Sequence, residues 1–180
     1  VLNNELLLNK KLAYRGRAIA RKNLNKLSDA ILDYKKVLEI DPKNISALEN
    51  LGDLIQQQGN YNEALEYFNK LIELVSNNAY YYSKRAYQKG LLNDNKGAIE
   101  DLNKAIEIEP KNSINFYNRG LAKLFSRDYE GALKDFDLAI NIDPNICDYY
   151  IKRGDTKQAL LDWNGSLEDY NNGLALDPFN

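Results

Sequence analysis

Apolar and small residues recur along the chain at helical spacing, in stretches separated by short polar breaks. Residues 113–146 show this most clearly, because they contain two such stretches with a break at residues 126–128. Apolar positions three and four residues apart predict amphipathic helices. Pro144 ends the second stretch, since the residue before a proline is disfavoured in the helical conformation. The segment therefore predicts a helix, a tight turn and a second helix.

This 34-residue pattern recurs along the whole chain without gaps, so that residues 34 positions apart form columns. The four prolines are spaced by 68, 34 and 34 residues, with Ser76 in the missing place: Pro42, Pro110, Pro144 and Pro178. A small residue recurs in the first helix: Ala18, Gly52, Ala86, Gly120 and Gly154. Another recurs in the second helix: Ala30, Ala64, Ala98, Ala132 and Ser166. A bulky residue follows one turn later: Tyr34, Phe68, Leu102, Phe136 and Tyr170. Such self-similarity predicts one array of stacked helix pairs.

The period sets the expected domain organisation. Five tandem repeats are expected at residues 11–44, 45–78, 79–112, 113–146 and 147–180. Shifted by one period, Leu6 falls in the column of Ile40 and Ile108. We therefore interpret residues 1–10 as the end of a helix from a preceding repeat, and the chain as a fragment of a longer array. The fold class is all-α, with ten repeat helices plus the end of one earlier helix.

Charged columns interrupt the apolar pattern in four of the five repeats. Arginine occupies one position of the first helix: Arg17, Arg85, Arg119 and Arg153. Aspartate follows sixteen residues later: Asp33, Asp101, Asp135 and Asp169. A third column is also basic: Arg21, Lys89, Lys123 and Lys157. The second repeat carries Leu51, Tyr67 and Ile55 in these places. Because arginine and aspartate are present and absent together, we predict an ion pair that joins the two helices of a repeat. The alternative is a series of basic residues that binds an acidic ligand.

The ends of the helices are also marked in the sequence. Asp94, Asp128 and Asp162 precede the second helices of the last three repeats, where aspartate can accept hydrogen bonds from the first backbone N–H groups. Gly59 stands in the turn of the second repeat, where glycine adopts the left-handed conformation at little cost. We therefore expect capped helices and a left-handed turn residue.

Composition narrows the function classes. The net charge of −2 gives no electrostatic preference for nucleic acid or an anionic membrane, and no run of 18 apolar residues exists. There is no histidine and only one cysteine, Cys147, which removes most metal sites and catalytic arrangements. We therefore expect no enzyme activity, no cofactor, no metal, no nucleic acid and no membrane partner. A single cysteine suits a reducing compartment, so a cytoplasmic location is expected.

These columns resemble the tetratricopeptide repeat, a 34-residue helix–turn–helix with small residues where its helices cross and a proline at its end. The resemblance covers residues 11–180. It implies a right-handed superhelical solenoid of antiparallel helix pairs, whose first helices line a concave groove. Members of the family are mostly scaffolds that bind peptides or other proteins there. The resemblance therefore implies an adaptor that binds a peptide or partner protein in the groove. The alternative is a structural array module that self-associates or links domains of a longer protein.

Candidate partner-binding residues lie in the first helices beside the small column. They are Arg15, Asn50, Tyr80, Lys84, Tyr87, Tyr117, Asn118 and Lys152. Tyrosine offers a large contact area at a low cost in side-chain entropy, and asparagine can bond a peptide amide. One branch of the family clamps a carboxyl-terminal carboxylate of chaperones, and Arg15, Asn50 and Lys84 resemble three of its five residues. Ile19 and Tyr80 depart from that pattern.

The last helix provides a second candidate surface. Its apolar residues Trp163, Leu167 and Leu174 would contact the next helix of an array, and no further helix follows in this sequence. An apolar face of this kind predicts self-association through the ends of the repeats.

Overall fold

The structure, a computed structural model, describes residues 2–177, and side chains from residue 4 onward. Pro178 and the last two residues of the fifth predicted repeat lie outside the described residues. Residues 2–177 form ten helices and no strand, which confirms the predicted all-α class. The helices are α1 (Leu2–Asn23), α2 (Leu27–Ile40), α3 (Ile45–Gln57), α4 (Tyr61–Leu74), α5 (Ala79–Leu91), α6 (Asn95–Ile108), α7 (Ser113–Phe125), α8 (Tyr129–Ile142), α9 (Cys147–Ala159) and α10 (Trp163–Leu176).

The starts of the helices follow the sequence period, with one exception at the amino terminus. Helices α3, α5, α7 and α9 begin where the sequence places repeats two to five. Helix α1 instead runs without a break from Leu2 to Asn23, whereas a helix end was predicted by residue 10. The structure corrects this boundary. No proline stands before Pro42, so nothing in residues 2–22 prevents the helix from continuing. The assignment of residues 11–180 to five repeats remains a prediction.

The chain divides into two compact units between Asn77 and Asn78. The division falls in the connection after α4, where Ser76 replaces the proline of the other repeats. The first unit contains α1–α4, and its interior includes Leu48, Leu51 and Phe68, each at most 1% exposed. The second unit contains α5–α10, and its apolar interior includes two clusters. One surrounds Leu102 and the other surrounds Phe116.

Every helix pair is joined by a three-residue turn whose middle residue has a left-handed backbone. These residues are Asn25, Gly59, Asn93, Arg127 and Leu161, with φ between 57° and 79°. In the turn at Arg127, its N–H donates to Leu124 O at 3.0 Å, and the next N–H, of Asp128, donates to Lys123 O at 2.9 Å. Such paired bonds satisfy carbonyls at a helix end. The expectation for Gly59 is confirmed, and four residues other than glycine adopt the same backbone conformation.

Side-chain caps begin most of the helices. Asp94, Asp128 and Asp162 accept hydrogen bonds from the N–H groups of Gly97, Gly131 and Gly165 at 2.9, 3.0 and 3.0 Å, as predicted. Asparagines cap three of the first helices, which the sequence analysis did not predict. They are Asn44, Asn78 and Asn112. Each cap satisfies a backbone donor that has no partner within its helix, so the helix starts are determined locally.

The predicted pairing of arginine and aspartate is confirmed in all four repeats. In the fourth repeat, Arg119 Nε and Nη2 donate to the two carboxylate oxygens of Asp135 at 2.9 and 2.6 Å. The other three pairs have the same two-point geometry: Arg17 with Asp33, Arg85 with Asp101 and Arg153 with Asp169. Since each guanidinium is held by its own carboxylate, the geometry favours the structural interpretation over an acidic ligand.

Each of these aspartates also meets a second cation, which the sequence analysis did not foresee. Lys123 Nζ lies 2.7 Å from Asp135 Oδ2, and the side chain of Asp135 is only 2% exposed. Arg21, Lys89 and Lys157 lie 2.6, 2.9 and 2.9 Å from their own aspartates. A buried carboxylate is stable only when its charge is paired and its oxygens are hydrogen-bonded, and here two cations do both. The hydrogen bond from Arg17 accordingly holds the pKa of Asp33 below its ordinary value.

Within the second unit, two of the arginines also connect neighbouring repeats. Arg119 Nη1 donates to Asn103 Oδ1 on α6 at 2.7 Å, and Arg153 Nη1 donates to Asp137 Oδ1 on α8 at 2.7 Å. Asn103 and Asp137 belong to one column, 34 residues apart. The same side chain therefore joins the two helices of its own repeat and contacts the repeat before it.

Candidate functional site

An apolar cleft of 320 Å³ lies in the second unit, among helices α5, α6 and α7. Its floor is the cluster around Leu102, which also includes Ala86, Ala98 and Ala122. All four residues are buried, and three of them are alanines that present only a methyl group. The floor is therefore smooth and apolar, and it cannot satisfy a polar ligand atom.

Exposed side chains form the rim of this cleft. Tyr87 and Leu91 come from α5, and Phe125 comes from the end of α7. Their exposed fractions are 50%, 40% and 72%. Asn118 on α7 also lines the cleft and brings an amide that can both donate and accept. An apolar recess with a few polar groups at its edge is the usual form of a binding site for part of another molecule.

Two of the eight predicted binding residues, Tyr87 and Asn118, therefore line one cleft. The other predicted residues of the second unit lie elsewhere. Tyr80 is exposed near the start of α5, where the ammonium of Lys84 lies 5.3 Å from its ring centroid. Lys152 forms an ion pair with Asp155, one turn along α9, at 2.9 Å.

Tyr117 is a packing residue as well as a surface residue. Its ring centroid lies 4.9 Å from that of Tyr149 on α9 and 5.9 Å from that of Phe136 on α8. Burial, together with the nearby carboxylate of Asp148, raises the pKa of Tyr117 to about 12. That Tyr117 binds a partner beside Tyr87 remains a prediction. The ring of Tyr117 packs between helices, and Tyr117 is not among the residues that line the cleft.

The two predicted residues of the first unit have separate environments. Arg15 is exposed on α1. Asn50 on α3 is half-buried, and its side-chain amide donates to Ser46 O at 2.8 Å and accepts from Lys22 Nζ at 2.9 Å. These bonds engage both polar atoms of Asn50 within the first unit. A role for Arg15 and Asn50 in binding a carboxylate remains a prediction.

Several residues of the cleft were not predicted from the sequence. Gly90, Leu91, Asn95 and Phe125 line it and were not among the candidates. A signal for two of them was present in the columns. Gly90 and Asn95 stand where the other repeats carry larger side chains, as described below. Leu91 and Phe125 share one column, and this alone did not distinguish them from ordinary exposed apolar residues.

No group of three histidine, cysteine, aspartate or glutamate side chains in residues 2–177 could hold a metal ion. Within that same range, none of the helices has the length and apolar character needed to cross a membrane.

Models of the TPR repeat and the tetratricopeptide repeat match residues 20–59, 45–78, 79–112 and 115–146, which together are more than half of the chain. No curated protein matches the sequence significantly.

Solved structures of low sequence identity share the fold. MamA matches with a TM-score of 0.86 and 22% identity over 94% of this chain and 92% of that chain. MamA residues 41-end from Desulfovibrio magneticus RS-1 match with a TM-score of 0.89 and 18% identity over 94% and 96%. YrrB, described as a TPR protein with an unusual peptide-binding site, matches with a TM-score of 0.77 and 22% identity. The match covers 93% of this chain and 86% of that chain. With ten helices over residues 2–177 and family models matching most of its length, the chain belongs to the tetratricopeptide-repeat family.

Proposed function

We propose that this protein binds an extended peptide segment of a partner protein in the cleft among α5, α6 and α7. The family supports a protein–protein interaction scaffold in general. The observation that carries the more specific proposal is the cleft itself, which combines a buried apolar floor with exposed Tyr87 and Phe125 and the amide of Asn118. The YrrB structure supports it by analogy, since that protein is described as having a peptide-binding site.

Each part of the cleft suits a peptide. Tyr87 and Phe125 offer large contact areas with few rotatable bonds, which limits the entropy lost on binding. Asn118 can donate to a peptide carbonyl and accept from a peptide N–H, as an extended backbone requires. None of the residues that line the cleft is charged, so a bound segment would contribute apolar side chains and backbone amides.

The test is selection of short peptides from a displayed library, followed by affinity measurement with variants. Asn118→Ala and Tyr87→Ala should each weaken binding by about tenfold, as expected for a central contact residue. Tyr80→Ala is a matched control, because Tyr80 is also on α5 and 47% exposed but does not line the cleft. Circular dichroism should show unchanged helicity. Equal affinity of the Tyr87→Ala and Asn118→Ala variants with the parent would contradict the proposal.

A second candidate function is self-association through the last helix pair. Trp163, Leu167 and Leu174 on α10 are 58%, 60% and 54% exposed. A large exposed apolar face is typical of an interaction surface. Sedimentation analysis of the parent and of Leu167→Glu tests this candidate. A concentration-dependent increase in mass that Leu167→Glu abolishes would support it, and a monomer at all concentrations would reject it.

A further inference from the structure

The cleft lies where the third repeat departs from all the others. Three columns that carry larger residues elsewhere hold smaller ones in this repeat. The column of Gly90 otherwise contains Lys22, Gln56, Leu124 and Gln158. The column of Asn95 otherwise contains Leu27, Tyr61, Tyr129 and Trp163. The column of Leu102 otherwise contains Tyr34, Phe68, Phe136 and Tyr170. All three exceptions belong to one repeat, and all three line one cleft.

The fourth repeat shows what these columns hold when the larger residues are present. Leu124 and Tyr129 are half-buried there, and Phe136 is fully buried. A Cβ atom added to Gly120 would lie 2.7 Å from Phe136 Cε1, so the ring already fills the space against α7. In the third repeat, Ala86 takes the place of Gly120 and Leu102 takes that of Phe136. The single methyl group of Ala86 is too small to fill the volume that Leu124, Tyr129 and Phe136 occupy in the fourth repeat.

The neighbouring helix does not fill the space either. Ala122 on α7 contributes only a methyl group to the floor. Its column holds larger residues in three other repeats: Leu54, Gln88 and Thr156. Protein interiors are normally packed at the density of organic crystals, so several coincident losses of volume weaken the packing of this repeat. A local loss of packing of this kind is expected at a binding site, because the bound molecule provides the missing contacts.

The missing side chains indicate the chemistry of that molecule. In three of the other four repeats the column of Asn95 is aromatic: Tyr61, Tyr129 and Trp163. In all four the column of Leu102 is aromatic. The cleft of 320 Å³ has room for such a ring, since closed apolar cavities of roughly 150 Å³ bind benzene. Tyr87 and Phe125 at the rim can contact its face or edge.

We propose that this repeat-specific vacancy is a pocket for one aromatic side chain of the partner protein. This inference rests on the proposed function of the same cleft and specifies what it recognises. The ring lies on the alanine and leucine floor in the place that Tyr129 and Phe136 occupy in the next repeat. The flanking peptide amides bond Asn118 at the edge.

The experiment uses p-cresol and indole as probes, titrated into the isotope-labelled protein and followed by amide NMR spectra. Saturable shifts should be confined to residues of α5, α6 and α7 that line the cleft. The variant Gly90→Leu/Asn95→Tyr restores the side chains of the fourth repeat, and should reduce the affinity for both probes by at least about tenfold, as for loss of a central contact. Its melting temperature should equal or exceed that of the parent, because the added groups restore packing.

Two further variants keep the test decisive. Leu102→Phe is an independent way to fill the pocket, should the double variant fail to fold, and it should also weaken probe binding. Gln158→Leu is the matched control, since Gln158 belongs to the column of Gly90 but lies in the fifth repeat. This control should bind the probes as the parent does. The proposal is overturned if neither probe produces saturable shifts in the cleft, or if a folded, filled variant binds as well as the parent.

The selected peptides separate this inference from the proposed function. Replacement of the aromatic residue of a bound peptide by alanine should cause a loss of about tenfold or more. A peptide whose binding depends on Asn118 and Tyr87 but is unaffected by the filled variants would overturn the aromatic pocket and leave the proposed function intact. A peptide whose binding depends on none of these residues would overturn both.

Discussion

The second and fourth repeats hold their helix pairs together with opposite chemistry. In the fourth repeat, the buried carboxylate of Asp135 lies between the cations of Arg119 and Lys123. In the second repeat, the same columns hold Leu51, Ile55 and Tyr67. Leu51 and Ile55 are buried, and burial raises the pKa of Tyr67.

The comparison shows that the helix pair does not require the charged cluster. Both repeats place a first helix of 13 residues, a three-residue turn and a second helix of 14 residues in the same register. What the cluster adds is direction, because two parallel hydrogen bonds fix the relative orientation of a guanidinium and a carboxylate. Burying two charges costs desolvation energy, which offsets much of their attraction, so a buried ion pair often contributes little net stability. Removing one partner is costly because the other charge stays buried without compensation. Two predictions test this difference, and two more test smaller differences between other repeats.

The largest effect is expected from removal of one member of the cluster. Asp135→Ala leaves the cations of Arg119 and Lys123 partly buried and without their carboxylate, and should lower the free energy of unfolding by roughly 3 kcal/mol. The measurement is urea-induced unfolding followed by circular dichroism. Asp137→Ala is the control. Its side chain is 59% exposed beside Arg153, so a loss under about 1 kcal/mol is expected. Equal losses in the two variants would contradict the importance of burial.

A triple substitution carries the chemistry of the second repeat into the fourth. Arg119→Leu/Lys123→Ile/Asp135→Tyr removes all three charges together, so no charge is left unpaired. The free energy of unfolding should stay unchanged or rise by about 1–2 kcal/mol, as for other buried ion clusters replaced by apolar residues. The same unfolding measurement applies. A loss as large as that of Asp135→Ala alone would mean that the cluster is needed for stability and not only for geometry.

A smaller effect is expected where the first repeat differs from the second in a single hydroxyl group. Tyr34 is fully buried in the column of Phe68, and its hydroxyl has no hydrogen-bond partner among residues 2–177. Tyr34→Phe removes this unsatisfied group and should raise the free energy of unfolding by about 1 kcal/mol. Thermal unfolding of the parent and the variant measures it. Tyr170→Phe should have the opposite sign, because the hydroxyl of Tyr170 donates to Asp155 Oδ1 at 2.8 Å.

The smallest effect is expected in the turns. Gly59 in the second repeat and Leu161 in the fifth both have left-handed backbones, with φ of 79° and 64°. Leucine is strained there by about 1–2 kcal/mol, of which the greater flexibility of glycine in the unfolded chain cancels part. Leu161→Gly should therefore raise the free energy of unfolding by about 0.5 kcal/mol in the same thermal measurement. Leu160→Gly, at the preceding residue with φ of −91°, should not stabilise the protein. A lower stability of Leu161→Gly would show that the side chain of Leu161 contributes more than its backbone strain costs.

Features that repeat along the sequence could be predicted because each is a local requirement met in several repeats. The helices follow from apolar spacing, and the starts of three second helices from aspartate caps. The pairing of Arg119 with Asp135 was visible because arginine and aspartate are exchanged together in the second repeat. The second cation on each aspartate was visible as a column, yet its role was not, since a column shows recurrence and not which atoms meet. The long α1 was missed because the period predicted a boundary at which no residue ends the helix.

The sequence by itself determined the all-α class, the 34-residue register and the ion pairs, because these depend on contacts within one helix or between the helices of one repeat. Only the tertiary structure decided which exposed side chains share a surface. It placed Tyr87 and Asn118 in one cleft and directed Tyr117 into packing with Tyr149. It also showed that the volume left by the smaller residues Gly90, Asn95 and Leu102 lies in one cleft. The columns show that these residues are smaller than their counterparts, but not that the volumes they leave adjoin, because that depends on how the side chains of three helices meet.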